Sequence, residues 1–335
     1  MTITNYEERE AVADARSSLG IRVVQQLSRQ YLLAILIVLA FAVGFVNPYF
    51  WGGGNLENVL FSAAFVGIAA CGMTLLIAGG MLDLSIAGVI AVASITAAKV
   101  LPFTSVGGAI FLGVVVGAVL GLVNGVLVAY LRIAPFIATL GSLYLFLGLA
   151  FIWTQGRVVP IRSTNFRDLA TMSFGHVPLV AVVFTVLAAV TFLLLNRTYF
   201  GRTLRAFGSN ERAAQLAGAH VNRTKLIAFS IAGAMSALSG VFMAGRLASA
   251  EGNMATGIEM SVIAAVVVGG TALRGGRGTV FGTMVGASLF AVLGNALNLL
   301  GVASYWQYVL TGSVLIAAIA VGARRRDAAE VKGAG

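Results

Sequence analysis

Long apolar runs separated by short polar segments make up most of the sequence after residue 30. A run of about 20 apolar residues crosses roughly 30 Å of hydrocarbon as an α-helix. The pattern predicts about ten such spans, the eighth short and bounded by glycine, and therefore an all-α polytopic membrane protein. The predicted spans are 31–50, 56–79, 84–100, 103–131, 134–153, 177–195, 226–250, 258–270, 280–300 and 304–321.

The composition agrees with a chain that lies in a bilayer. Hydrophobic residues make up 59% of the chain, charged residues only 10%, and the mean hydropathy is +0.95. Those values are far from the balance of soluble domains. Glycine is abundant (41) and proline rare (5), which favours helices packed closely through small residues.

The basic residues cluster at the ends of the apolar runs. A net charge of +10 alone would suggest a nucleic-acid partner, but this clustering is better explained by the positive-inside rule, and no nucleic acid is expected to bind. Placing the N-terminus in the cytoplasm puts most of the 22 basic residues on that side. The predicted organisation is a cytoplasmic tail (1–30), a transmembrane domain (31–323) and a second cytoplasmic tail (324–335).

One polar loop, residues 196–225, holds six basic side chains between two apolar runs: Arg197, Arg202, Arg205, Arg212, Arg223 and Lys225. Within it, the stretch 211–217 favours a helix. Ser209 and Asn210 are placed to cap its start and Gly218 to end it. The pattern predicts a short cytoplasmic helix that docks a soluble partner.

Polar residues inside the apolar runs are the candidates for a solute pathway. Asp83 and Glu259 each have two interpretations, capping a helix start or facing a cavity. The uncharged candidates either bond neighbouring helices or line a route for a neutral hydroxylated solute; they are Ser85, Asn124, Thr139, Ser261, Asn295 and Asn298. Arg246, near an outer loop, is expected either to contact the carrier protein of a delivered ligand or to remain solvated, and solvation is the default. Because no series of carboxylates runs through the spans, the driving energy is expected to come from another protein.

No residue constellation for catalysis is apparent. Cys71 is the single cysteine, so an intramolecular disulfide or a cysteine-based zinc site is ruled out. His176 and His220 fall in different loops, and neither a catalytic residue, a metal site nor a cofactor is expected. The glycine-rich stretch 269–278 lacks the Gly-Lys-Ser/Thr ending of a phosphate loop and is interpreted as a close-packed turn.

The two halves of the chain show a weak internal similarity. Asp83-Leu84-Ser85 and Glu259-Met260-Ser261 each open a span, and Gly117-Ala118 has a counterpart in Gly286-Ala287. This pattern is expected of a duplicated bundle with its pathway between the halves.

Several stretches together resemble the membrane permease subunit of ABC importers in the ribose, xylose and autoinducer-2 branch of the branched-chain-permease family. The resemblance covers about residues 55–321. It is carried by Gly79-Gly80 with Asp83-Leu84-Ser85, by Pro135 to Gly141, by Gly208 to Ala214, and by the stretches 263–271 and 297–302.

The resemblance implies an importer in a bacterial inner membrane. Two permease copies would form the pathway, a periplasmic binding protein would deliver a sugar, and an ABC ATPase would dock on the loop residues Gly208, Ser209, Asn210, Glu211, Arg212, Ala213, Ala214 and Gly218. A branched-chain amino acid ABC permease and an ion-coupled secondary carrier remain as alternatives. An intramembrane enzyme is disfavoured because no nucleophile has a base beside it.

Overall fold

The computed structural model describes residues 31–303 and 305–333, so the predicted tail 1–30 lies outside the described residues. The chain is almost entirely helical in this part. The helices are α1 (Tyr31–Val46), α2 (Gly53–Ala78), α3 (Ile86–Val100), α4 (Val106–Ala129), α5 (Pro135–Thr154), α6 (Thr164–Thr171), α7 (Leu179–Arg197), α8 (Tyr199–Ser209), α9 (Glu211–Leu216), α10 (Val221–Leu247), α11 (Ile258–Val268), α12 (Val280–Leu299) and α13 (Tyr305–Gly333).

Two pairs of very short antiparallel strands connect the loops. Strand β1 (Val159–Pro160) pairs with β4 (Ser249–Ala250), and β2 (Ser173–Phe174) pairs with β3 (Val177–Pro178). The first pair joins the loop after α5 to the loop after α10. The strands hold connections in place and do not form a separate layer, so the predicted all-α class is confirmed.

Within residues 31–303 and 305–333, seven helices are long and apolar enough to cross a membrane: α2, α3 with the short 3-10 helix Leu101–Phe103, α4, α5, α7, α10 and α12. Each of the ten predicted spans corresponds to a helix. Helix α11 has only 11 residues, or about 16 Å, which is half of the hydrocarbon thickness. The polytopic architecture is therefore confirmed, and the count of ten spans stays a prediction.

Helix α2 lies at the centre of the bundle. The most apolar windows of α2 and α3 are 83% and 78% buried, whereas those of α4, α5 and α7 are only 22% to 28% buried. Apolar faces left open on membrane-length helices suit contact with lipid. Close helix approach uses glycine: a Cβ built on Gly233 of α10 would lie 3.0 Å from the Cα of Gly121 on α4.

Two short helices begin after irregular chain. Residues 79–85 separate α2 from α3, and residues 251–257 precede α11, where Gly257 has φ +86°. The positions differ in detail, because Asp83 precedes α3 whereas Glu259 lies in the first turn of α11. The internal duplication stays a prediction.

Helix α13 extends beyond the predicted last span. Its backbone remains helical through Gly333, although the span was predicted to end at residue 321 and a tail to begin at 324. The stretch 323–332 consists largely of alanine, arginine and glutamate, has no proline, and has high helix propensity. The tail boundary stays a prediction.

Candidate functional site: a docking surface and a far-end cavity

The polar loop 196–225 folds into two helices at one end of the bundle, which we name the loop end. Helix α9 starts with Asn210, whose side chain accepts a hydrogen bond from the Ala213 N–H at 3.0 Å, and the chain after it turns at Gly218 with φ +79°. The predicted short helix is confirmed. The prediction for Ser209 was wrong, since this residue ends α8 and donates its hydroxyl to the Arg205 carbonyl at 3.1 Å.

Helix α8 was missed from the sequence. Thr198 caps it by accepting a hydrogen bond from the Gly201 N–H at 3.2 Å. Its inner face buries Leu204 and Phe207, while Arg202 and Ala206 face outward. The helix is therefore amphipathic and lies against the bundle.

The exposed residues of α8 and α9 include five that we name the docking surface: Arg202, Ala206, Arg212, Ala213 and Leu216. Leu216 is 83% exposed, an unusual position for a leucine on a helix of six residues. Ala214 is only 6% exposed and faces the bundle, so it supports α9 from within. Arginine is enriched at protein–protein interfaces, so the exposed Arg202 and Arg212 fit a protein-binding site.

The docking surface is tied to the transmembrane helices by Lys225 of α10. The Lys225 Nζ lies 2.7 Å from the Glu211 Oε1 of α9 and 5.8 Å from the centroid of the Phe207 ring of α8. The lysine side chain is only 10% exposed, so the ion pair is shielded from water on one side. One side chain thus joins α8, α9 and α10.

Three glycine segments also meet at the loop end, and we name this the glycine junction: Gly79-Gly80 after α2, Gly208 near the end of α8, and Gly275-Gly276 between α11 and α12. The Gly276 N–H donates to the Ala78 carbonyl at 2.8 Å. A Cβ built on Gly275, which has φ +86°, would lie 2.7 Å from the Gly80 nitrogen. The close-packed turn predicted for residues 269–278 is confirmed.

Asp83 lies in a buried polar cluster at the start of α3. Its Oδ1 accepts hydrogen bonds from the Ser85 N–H at 2.8 Å and from the Ser85 hydroxyl at 2.6 Å. The Asn124 amide donates to the same Ser85 hydroxyl oxygen at 2.8 Å. Nearby, Thr139 donates to the carbonyl of Pro135 at 2.8 Å. Asp83 therefore holds Ser85, the residue before α3, while no side chain caps the first turn of α3; the capping role stays a prediction.

A cavity of about 810 Å³ opens at the opposite end of the bundle, which we name the far end. Helices α2, α11, α12 and α13 form its walls, and Arg246 near the end of α10 lies at its rim. On α2 the lining runs from Asn55 to Val66, twelve residues that span about 16 Å of helix. The far-end cavity thus reaches about half of the hydrocarbon thickness.

Amide side chains connect the walls of the far-end cavity. Asn55 and Asn295 exchange two hydrogen bonds of 3.0 and 2.7 Å, and Gln307 donates to the Asn298 Oδ1 at 3.2 Å. Of the predicted pathway residues, Ser261, Asn295 and Asn298 line this cavity. Asp83, Ser85, Asn124, Thr139 and Glu259 do not.

Glu259 lies in the first turn of α11, where a negative charge is stabilised by the positive end of the helix dipole. Its Oε2 is buried without a hydrogen-bond partner among the described residues. Glu259 was predicted either to cap the start of a helix or to face a cavity. The structure places it at the helix start and away from the cavity lining.

Arg246 is partly exposed, and its guanidinium is also engaged within the protein. Its guanidinium donates to Asn58 and lies 4.1 Å from the centroid of the Phe61 ring, in a cation–π contact. The polar stripe of Asn55, Asn58 and Ser62 on α2 was not predicted. The spacing i, i+3, i+7 of polar residues in an apolar helix was the available signal.

A bundle of membrane-length helices with a polar cavity open at one end and a helical docking surface at the other has the features of a multi-pass membrane transport protein. Comparison with known sequences agrees. The family described as "Branched-chain amino acid transport system / permease component" matches residues 55–319, and the chain belongs to this family.

Curated relatives are similar over nearly their whole length. The ribose import permease protein RbsC of Bacillus subtilis is 38% identical over 287 residues, covering 85% of this chain and 89% of the relative. The L-arabinose transport system permease protein AraH of Escherichia coli is 37% identical over 293 residues, covering 86% and 88%. RbsC of Escherichia coli is 36% identical over 309 residues, covering 90% and 95%.

Proposed function

We propose that this chain is the membrane permease of an ABC importer for a sugar or sugar-like solute. Its relatives named for ribose and L-arabinose import support the sugar class over branched-chain amino acids. The observation that carries the proposal is the docking surface, because a capped helix at the loop end presents Arg212 and Leu216 to solvent where another protein can reach them.

Energy would reach the bundle from a separate ABC ATPase that binds the docking surface. Its push on α9 would pass to α10 through the pair Glu211–Lys225, and to α2 and α11 through the glycine junction. The permease itself would carry out no chemical step. Two alternating arrangements of the helices, biased by nucleotide and by solute, would move the solute.

The proposed orientation places the loop end in the cytoplasm and the far end toward the periplasm of a bacterial inner membrane, with both chain termini cytoplasmic. The six basic residues of the loop 196–225 support it. A periplasmic binding protein would deliver the solute to the far end, and a second copy of the permease would complete the transporter.

The proposed pathway uses the predicted residues that face open space: Ser261, Asn295 and Asn298. Asp83, Ser85, Asn124 and Thr139 would have a supporting role, because their polar groups bond one another or the helix backbone. Glu259 would hold the start of α11 beside the pathway.

The test is Leu216→Asp, which places a charge in the centre of the docking surface without touching the bundle. We expect the variant to insert normally but to lose copurification of the ATPase and ATP-driven uptake. Met172→Asp is the matched control, since Met172 is an exposed apolar residue at the far end and should leave ATPase binding unchanged. Normal ATPase binding by Leu216→Asp would refute the docking role.

Reconstitution separates the alternative mechanisms. Uptake by the purified chain in liposomes that lack the ATPase, abolished by an ionophore, would identify an ion-coupled carrier. ATP-driven uptake of leucine but not of pentoses would identify a branched-chain amino acid permease.

A further inference from the structure

The far-end cavity has polar stripes on three of its walls. On α2, Asn55, Asn58 and Ser62 follow one helix face. On α12, Asn295 and Asn298 are about one turn apart, as are Gln307 and Thr311 on α13. Helices that faced lipid at these positions would expose amides and hydroxyls to hydrocarbon, which costs several kcal/mol for each unpaired group. The stripes therefore indicate a cavity filled with water or solute.

The lining is polar but nearly without charge. Arg246 is the only Lys, Arg, Asp or Glu among the described residues that line the cavity, and its guanidinium is already engaged by Asn58 and the Phe61 ring. An amino acid zwitterion would find no carboxylate there for its ammonium group. A neutral polyol requires only hydrogen-bond donors and acceptors.

The lining of the far-end cavity also presents hydroxyl groups and aromatic surface. Within residues 31–303 and 305–333, no side-chain hydrogen bond is formed by the hydroxyls of Ser62, Ser261 or Thr311, so they remain available to a solute. Tyr308 and Phe290 add apolar surface on two sides. Hydroxyls and amides combined with apolar ring surface match a sugar, which has polar edges and an apolar C–H face.

The volume of the far-end cavity is also suitable for a small sugar. A volume of about 810 Å³ lies within the usual range of about 300–1,000 Å³ for small-molecule sites. A small sugar would fill only part of it, and bridging waters would complete its hydrogen bonds.

We propose that the far-end cavity is a sugar-binding site within a single permease chain, in which the hydroxyls of Ser62, Ser261 and Thr311 bond an uncharged sugar between walls that the Asn55–Asn295 amide pair holds together. The permease then discriminates between solutes itself, in addition to the binding protein that delivers them. This inference rests on the proposed function, since it names where the transported sugar rests.

The test is protection of an introduced thiol. Cys71, the single native cysteine, is completely buried, so background labelling is low. Gly294→Cys places a thiol on the cavity wall, and the nearest atom to its Cβ is the Gln307 Oε1 at 3.6 Å, which leaves room for the side chain. Gly107→Cys is the matched control, at an exposed far-end glycine with no atom within 4 Å of its Cβ.

A membrane-impermeant methanethiosulfonate reagent is added to the assembled transporter in sealed vesicles with the far end outward. D-ribose or L-arabinose at about ten times its Kd should slow the labelling of Gly294→Cys roughly tenfold, because about nine-tenths of the sites are then filled. Leucine should leave the rate unchanged. Labelling of Gly107→Cys should be the same under all conditions.

Equal labelling of Gly294→Cys with and without either pentose overturns the inference, as does a thiol that never reacts. Gly312→Cys, on the α13 wall with no atom within 4 Å of its Cβ, gives the same readout if Gly294→Cys does not assemble. ATP-driven pentose uptake by the unaltered transporter is measured in parallel. Uptake without protection refutes the cavity site alone, whereas a transporter that moves no sugar refutes the proposed function.

Discussion

Replacing Gly208 by alanine should loosen the glycine junction that connects the docking surface to α2 and to the turn before α12. The added Cβ would lie 2.7 Å from the Gly276 nitrogen and 3.0 Å from the Gly79 Cα, and it would also overlap the Ala78 carbonyl oxygen. All three atoms belong to the backbone, so no side-chain rotation can relieve the overlap.

The expected cost follows from three contributions. Overpacking against backbone costs about 1–3 kcal/mol. Separating the segments also weakens the 2.8 Å hydrogen bond from the Gly276 N–H to the Ala78 carbonyl, worth about 1 kcal/mol. Alanine returns about 0.5–1 kcal/mol through its better helix propensity in α8. The net destabilisation is about 1–3 kcal/mol.

The matched control is Gly141→Ala on α5, where no atom lies within 4 Å of the added Cβ. It should be neutral or gain about 0.5–1 kcal/mol. Thermal unfolding of the two detergent-extracted variants should rank Gly208→Ala clearly below Gly141→Ala. In proteoliposomes with the ATPase, Gly208→Ala should also move less sugar for each ATP hydrolysed.

A Gly208→Ala variant as stable as Gly141→Ala, with unchanged transport for each ATP, would refute the reasoning. It would mean that the three segments separate without cost.

Three further changes test individual contacts. Glu211→Lys and Lys225→Glu should each reduce ATP-driven uptake, because each replaces a half-exposed ion pair worth up to about 1 kcal/mol by two like charges, and the double variant should recover part of the loss; full additivity of the two losses would contradict a direct pair. Asp83→Ala should lower stability by about 1–2 kcal/mol through loss of the Ser85 contact, whereas Asp83→Asn keeps an acceptor oxygen and should cost less; equal melting temperatures for the two would argue against the acceptor role. Thr74→Val and Thr283→Val each remove the same 2.7 Å hydroxyl contact, so their effects on thermal stability should sum to more than that of the double variant.

Local signals predicted the helices well. Apolar runs gave a helix at each of the ten predicted positions, and the order Asn210, Glu211 and Gly218 gave α9 with its cap and its end. Helix α8 was missed because Gly201 and Gly208 lower its helix propensity. Both glycines are there for packing, since Gly201 approaches the carbonyls of α7 and Gly208 lies in the glycine junction.

The candidate site was only partly predictable. Asn295 was recognised as a polar residue inside a span, but its partner Asn55 is 240 positions away in the sequence. Asp83 and Asn124 drew attention for the same reason, yet they bond Ser85 inside the protein. One sequence does not distinguish a polar group that bonds a neighbouring helix from one that faces an open cavity, because that distinction depends on tertiary contacts.

Helix α11 begins beside the far-end cavity, where Ser261 lies on the wall, and leads directly into the turn that enters the glycine junction. Its 11 residues form a straight helix of about 16 Å, which is too short to bend appreciably along its length. If the turn moved, α11 would therefore move as a rigid body and shift Ser261 on the cavity wall by almost the same distance. This half-length helix thus couples the two ends of the chain directly.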